Sequence, residues 1–310
     1  MLEVSVVLPV YNCERYIEES INSILSQKFD SFELIVVNDG STDKTASILD
    51  TYKDNKLTIL TNNENQGLVF SLNLAINNSK GQFICRMDAD DICDEYRLSK
   101  QYQFLITNPN IDVIGCQGFN IDEKGSFLNK KSWRQNKLLI EFYCLLGENP
   151  VGHPFSMIRK SKIIEVGGYR EQYFRAEDKD LWLRILSSGG HFANLKDTLL
   201  CYRIHPNQIT DSKTQVEKIS RDVIRDFYKT IGIKSSLLED QSLETFLNFN
   251  NYRLIDFPFC FGFISEVANK MKYNLITRYT LIYLYFLFFF KRLIANMQVS
   301  VPQKLNSWVY

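Results

Sequence analysis

The sequence predicts an α/β protein with a mainly parallel sheet and helices on both faces. Three observations carry that expectation. Short apolar runs rich in β-branched residues recur through the first 117 residues, stretches with helical spacing separate them, and polar residues sit just past the ends of the runs. Alternating strands and helices imply parallel strands joined by helical crossovers. In such sheets ligands bind outside the carboxyl ends of the strands, which is where Asn12, Asp39, Asn62, Asn63 and Asp88 fall.

The run from Val4 to Val10 reads as a first buried strand, with Pro9 near its end where no ladder N–H is needed. Between Arg15 and Gln27, the apolar residues Ile17, Ile21, Ile24 and Leu25 recur at helical spacing. The run Leu34-Ile35-Val36-Val37 is a second strand, turned by Asn38-Asp39-Gly40. Ser41-Thr42-Asp43 offers capping groups to a helix carrying Ile48, Leu49 and Tyr52. Leu57 to Leu60 is a third strand, and Gly67 precedes a helix through Leu72 and Ile76. Gln82-Phe83-Ile84-Cys85 follows Gly81 and reads as a fourth, and Val113-Ile114 as a fifth. Past residue 117 the regularity weakens. Asn149 to Pro154 is a loop, Gly167-Gly168-Tyr169 a turn, and Ala176-Glu177-Asp178-Lys179-Asp180 opens a helix through Leu181, Trp182, Ile185 and Leu186. From Val216 the residues Ile219, Val223, Ile224 and Phe227 make one helical apolar face.

The fourth strand leads into Arg86-Met87-Asp88-Ala89-Asp90-Asp91. Side chains alternate faces along an extended chain, so Asp88 and Asp90 point the same way and Ala89 the other. Two carboxylates converging there repel, and a hard divalent ion such as Mn²⁺ or Mg²⁺ relieves the repulsion. The plainer reading of a lone Asp-x-Asp is an acidic turn with Asp91 capping the next helix. Likewise Glu177 and Asp178 meet the positive end of a helix dipole, and a lone His205 is more often structural than a ligand.

Composition narrows the classes. A chain of 310 residues with net charge zero gives no sign of a nucleic-acid partner. Seven scattered cysteines without a Cys-x-x-Cys pair, and no signal peptide, lead us to expect reduced thiols in a cytoplasmic setting. The first strand is followed by Tyr11-Asn12-Cys13-Glu14, with no glycine, so neither a dinucleotide fingerprint nor a Walker loop is present.

Taken together, Val4 to Asn12, Val36 to Asp43, Asn65-Gln66-Gly67, Arg86 to Asp91, Ala176-Glu177-Asp178 and Asp180 to Arg184 resemble a family 2 glycosyltransferase of the GT-A fold, the bacterial type that builds surface polysaccharides. The motifs stand in that family's order over roughly residues 4–210. The resemblance implies that Pro9, Tyr11 and Asp39 hold the base and ribose, with Asp39 reading the uracil edge of a UDP-sugar. It implies that Asp88 lies near ribose and metal, that Asp90 is the principal metal ligand, and that Asp178 is the catalytic base with Glu177 beside it. It places His205 as a further metal ligand, and Arg86 and His153 as donor or acceptor contacts. Processive relatives carry Gln-x-x-Arg-Trp and many membrane spans; this chain has neither, so single-sugar addition to a glycan or lipid-linked acceptor is implied, in O-antigen or capsule synthesis. The alternatives are a nucleotidyltransferase, which usually opens with a glycine-rich basic loop, and a non-catalytic sugar-nucleotide-binding module, which has no need of a base.

The expected division is residues 1–212 as the transferase domain and 213–310 as a C-terminal helical region. The last acidic residue is Glu266; six basic residues follow it, flanking or preceding the apolar run from Tyr279 to Phe290. That run is 12 residues, short of the ~20 a spanning helix needs. It is expected to lie in the cytoplasmic face of an anionic membrane, the alternatives being packing on the catalytic domain or on a second copy in a homo-oligomer.

Overall fold

The computed structural model describes residues 2–206, 208, 213–233, 257–271 and 282–283. Two compact units are present, residues 1–144 with 148–223, and residues 145–147 with 224–310.

The first unit is built on one mixed sheet. Strands β1 (Val4–Val10), β2 (Phe32–Asn38), β3 (Leu57–Thr61) and β4 (Phe83–Arg86) run parallel in the spatial order β3-β2-β1-β4. β1, β2 and β4 are buried at every residue, with successive side chains pointing to opposite, equally covered faces of the sheet. Val4, Val6, Leu8 and Val10 meet Ile17, Ile21 and Ile24 of α1 (Ile17–Leu25) in one core. On the same strands α3 (Leu68–Asn78) packs against β1 and β2. Pro9 is the next-to-last residue of β1, near its end as expected. Odd-numbered residues of β1 face β4, as Met87 N–H donating to Val7 O shows. Pairing with β4 stops at Val7–Arg86, so the N–H that Pro9 lacks has no ladder partner to lose. Gly81, just before β4, is needed for close approach, since a Cβ there would lie 2.5 Å from Ser5 N. Between β2 and β3, α2 (Thr45–Leu49) has Lys44 at its N-cap and no side-chain cap; of the trio, Asp43 leads the chain in, its Oδ1 accepting the Thr45 N–H at 2.9 Å in a local turn.

The sheet continues past β4 through strands of which the local pattern marked only the start of β6. β5 is only Ile92–Cys93, and α4 (Arg97–Thr107) follows it. Val113-Ile114 opens the longer β6 (Val113–Ile121), which hairpins into β7 (Phe127–Lys131). β8 (Met157–Arg159) lies antiparallel between β4 and β6, and β9 (Phe192–Arg203) runs parallel to β6 and antiparallel to β5. The remaining helices of this unit include α5 (Lys137–Leu145), α6 (Lys160–Glu165) and α7 (Glu177–Ser187). α8 (Lys213–Thr230) crosses into the second unit.

Within the second unit, Tyr228 stacks edge-on against Phe263 of α9 (Phe257–Lys270), with centroids 4.9 Å apart, and donates its hydroxyl to Leu145 O. No helix among the described residues is long and apolar enough to cross a membrane. The run from Tyr279 to Phe290 lies outside the described residues apart from positions 282 and 283.

Candidate active site

A cavity of about 770 Å³ opens in the first unit at the carboxyl ends of the parallel strands, where the sequence placed a pocket. Pro9, Tyr11, Asn12, Asp39, Arg86, Asp88, Asp90, His153, Glu177, Asp178 and His205 all line it. Asn62 acts one step back, and Asn63 is exposed away from the cavity.

Asp39 follows β2 and is almost fully buried. Its carboxylate accepts from Asn62 Nδ2 at 2.7 Å and from the backbone N–H groups of Gln66 and Gly67 at 2.9 Å each. It thereby fixes the loop that enters α3. Tyr11 is 47% exposed at the rim, so its ring is free to meet a planar ligand.

The acidic motif departs from the extended geometry. β4 ends at Arg86, and residues 89 and 90 form a turn. The convergence is therefore made by the turn and not by strand pleating, and it takes in Asp91 as well as Asp88 and Asp90. One oxygen of each lies within 4.8 Å of the others. Asp91 does not cap a helix, because β5 intervenes; its Oδ1 accepts the Arg203 N–H at 2.9 Å while Oδ2 is buried without a partner. Burial, then the charges of Asp88 and Asp90, push the Asp91 carboxyl well above its usual range, and burial also raises Asp88 despite the adjacent Arg86. This crowding of hard oxygen donors around an orphaned carboxylate oxygen suits a divalent cation.

Distant segments hold the turn in place. His205 Nε2 lies 2.8 Å from Asp90 Oδ2, with its ring tilted 38° against that of Tyr16 at a centroid distance of 5.1 Å. Arg203, buried at the end of β9, donates from Nε to Asp90 O at 2.8 Å, from Nη1 to the carbonyls of Asp122 and Glu123, and from Nη2 to Glu19 at 2.6 Å. Ser20 Oγ donates to Asp88 O at 3.1 Å. Arg86 is buried, with Nη1 paired to Asp88 and Nε lacking a partner. Burial and the Arg86 charge drive His153 well below its usual pKa, so it stays neutral; its Nε2 lies 2.7 Å from Tyr169 Oη.

Glu177 and Asp178 occupy the first turn of α7, as expected. They follow Arg175, whose φ of 77° is a left-handed conformation uncommon for a residue with a side chain. Asn149 Nδ2 donates to Asp178 Oδ2 at 2.7 Å, and the Lys179 N–H donates to Oδ1 at 2.6 Å. Burial raises both carboxyls. For Glu177, burial and then the Asp178 charge bring the pKa to about 7, and its Oε2 is buried without a partner.

Sequence reasoning missed Lys131, Trp133, Asn149 and Tyr202, which also line the cavity, and Arg203, which braces it. Asn149 had a signal, as a polar residue in a loop rich in Gly and Pro. Lys131, Trp133 and Tyr202 had none, because they reach the cavity only through the pairing of β6 with β7 and β9.

The chain is similar to known proteins in sequence and in fold. The family model described as Glycosyl transferase family 2 matches residues 5–167. The O-antigen biosynthesis glycosyltransferase WbnJ of Escherichia coli is 34% identical over 76% of this chain and 92% of its own. Staphylococcus aureus TarS 1–349, solved in complex with UDP-GlcNAc, superposes with a TM-score of 0.63 at 21% identity, over 95% of this chain and 89% of that one. The mannosyltransferase PcManGT of Pyrobaculum calidifontis, solved with GDP-Man and Mn²⁺, gives 0.55 at 16% identity, over 96% of this chain and 87% of that one. At those identities the two structures establish a shared GT-A-like fold.

Proposed function

The chain belongs to glycosyl transferase family 2, and from that premise we propose that it moves one sugar from a UDP-sugar to a glycan or lipid-linked acceptor in surface-polysaccharide synthesis, with inversion and with a divalent cation. The observation that carries this reading is the meeting, in one cavity, of an acidic turn suited to a cation and a buried carboxylate pair suited to proton transfer. The O-antigen relative supports the polysaccharide role, and the UDP-GlcNAc bound in the TarS structure supports the donor class. The expected location is the cytoplasmic face of the cell membrane.

The acceptor hydroxyl is a weak nucleophile at neutral pH. Asp178, oriented by Asn149, takes its proton as the oxygen attacks the anomeric carbon. The bond to the diphosphate breaks as the new bond forms, and a single displacement inverts the centre. A retaining route by double displacement needs a carboxylate nucleophile on the opposite face. Asp88 and Asp90, with His205, are the residues that would hold Mn²⁺ or Mg²⁺. Such an ion supplies positive charge where the departing diphosphate develops its negative charge. Pro9 and Tyr11 bracket the base, and Asp39 presents its carboxylate to the base edge.

The test is nucleotide release from a panel of UDP- and GDP-sugars with purified full-length protein, with and without excess EDTA. Release from one UDP-sugar that stops in EDTA, with an inverted product by NMR, is the expected result. Full-rate transfer in EDTA removes the metal role. A retained configuration removes the single displacement, and release from GDP-sugars alone overturns the donor assignment.

A further inference from the structure

The cations lining the cavity differ in what they already hold. Arg86 is committed to Asp88, and Arg15 to Glu123 at 3.1 Å. Among the described residues, Lys131 has no carboxylate within ion-pair distance. Its ammonium lies 3.9 Å from the centroid of Tyr202 and 6.0 Å from that of Phe155. The two rings stack, 6.3 Å apart and 28° from parallel. The site is built by the sheet. Lys131 ends β7 opposite Gly118 of β6, where a Cβ would strike the Phe155 ring at 2.4 Å and Leu200 O at 2.5 Å. Glycine there lets Phe155 close in beneath the strand.

A cation over an aromatic face recovers part of its lost hydration, but three ammonium donors remain to be satisfied. Burial lowers the Lys131 pKa, and the carboxylates of Asp91 and Asp88 oppose that from a distance without bonding it. An anion entering the cavity beside the acidic turn meets three crowded carboxylates, and a fixed cation next to them offsets that repulsion.

We propose that Lys131 is a phosphate-binding residue of the donor site, gripping the diphosphate of the nucleotide-sugar and then of the departing nucleoside diphosphate. This rests on the nucleotide-sugar reading of the cavity. When the bond between the anomeric carbon and the diphosphate oxygen breaks, its electron pair stays on that oxygen. Lys131 keeps its proton and donates hydrogen bonds to the group that gains the charge.

The test is calorimetry on the full chain in Mn²⁺ buffer with UDP, GDP and uridine, beside steady-state kinetics. Lys131→Met is expected to weaken the better-bound diphosphate about tenfold or more, to leave uridine within about twofold, and to lower kcat with acceptor KM unchanged. Lys131→Arg, which keeps the charge, is expected to restore most of the affinity. If the Met variant melts early, Lys131→Gln replaces it, being polar and neutral. Unchanged diphosphate affinity overturns the proposal. So does equal weakening of uridine, which marks a general change of fold, and so does a raised acceptor KM with diphosphate affinity intact, which assigns Lys131 to an acceptor phosphate. Wild-type protein that binds neither diphosphate overturns the nucleotide-sugar reading itself, a result visible before any variant is made.

Discussion

Asp178 accepts a hydrogen bond at each carboxylate oxygen, yet its neighbour Glu177 has a buried oxygen with none. Burial and then the Asp178 charge bring the Glu177 pKa to about 7. Asp178→Asn keeps the shape and loses the basicity, so turnover should fall on the order of 10²–10⁴-fold with UDP affinity retained. Wild-type turnover in that variant moves the base elsewhere. The pH profile of kcat should carry an acid limb above the ordinary carboxylate range, because burial raises Asp178; a limb inside that range would place the base elsewhere. Stability follows the Glu177 proton. Glu177 titrates near 4.5 when unfolded and near 7 when folded, so in that window the folded state binds more protons and stability falls as pH rises. Glu177→Gln should flatten that slope in urea melts between pH 5 and 8; an unchanged slope assigns it to other groups. Asp90→Ala should cost roughly 10²-fold or more in rate, the usual scale for losing a preorganised charge term, and should weaken Mn²⁺ binding measured without donor. Unaltered Mn²⁺ affinity would take Asp90 out of the ligand set.

At the scale of elements, Arg203 ties the last strand to the acidic turn, the hairpin and α1. Its guanidinium covers the Tyr16 ring at 4.7 Å while donating to three carbonyls and Glu19. Arg203→Met keeps much of the stem's packing but strands those acceptors. Leaving buried acceptors unpaired costs ~1–3 kcal/mol each when water cannot reach them, so a loss of roughly 2–3 kcal/mol is expected in urea unfolding, with a raised Mn²⁺ requirement. An unaltered midpoint would mean that water or neighbouring donors replace the guanidinium.

For the whole molecule, formal neutrality conceals an uneven distribution. All six charges after Glu266 are positive, so the preceding residues carry a compensating excess of negative charge. The proposed membrane role of the tail predicts that full-length protein floats with anionic vesicles and less with zwitterionic ones, each basic residue near the surface adding ~1 kcal/mol. Protein lacking residues 267–310 should stay at the bottom of the gradient. Equal flotation of both forms would assign the contact to another surface, and sedimentation of both would remove it.

The residues themselves determined the parallel half of the sheet, because β1 to β4 are runs whose period and bounding turns report burial locally. They also determined that Asp39, Asp88 and Asp178 sit at strand or helix ends, since turn and cap chemistry is local too. The grouping of those ends into one site was decided by tertiary structure. Asp90 meets His205 across 115 positions, and Asp91 meets Arg203 across 112. Both contacts depend on the antiparallel pairing of β5 with β9, in which Ile92 pairs with Cys201. Strands β7 to β9 left only a faint local signature, because β7 is largely exposed and β9 only partly buried, so neither shows a continuous apolar run. Hydrophobic period records which side chains leave water. It does not record which distant strand they leave it with, and that choice is what brings Lys131, Asn149 and Tyr202 to the cavity.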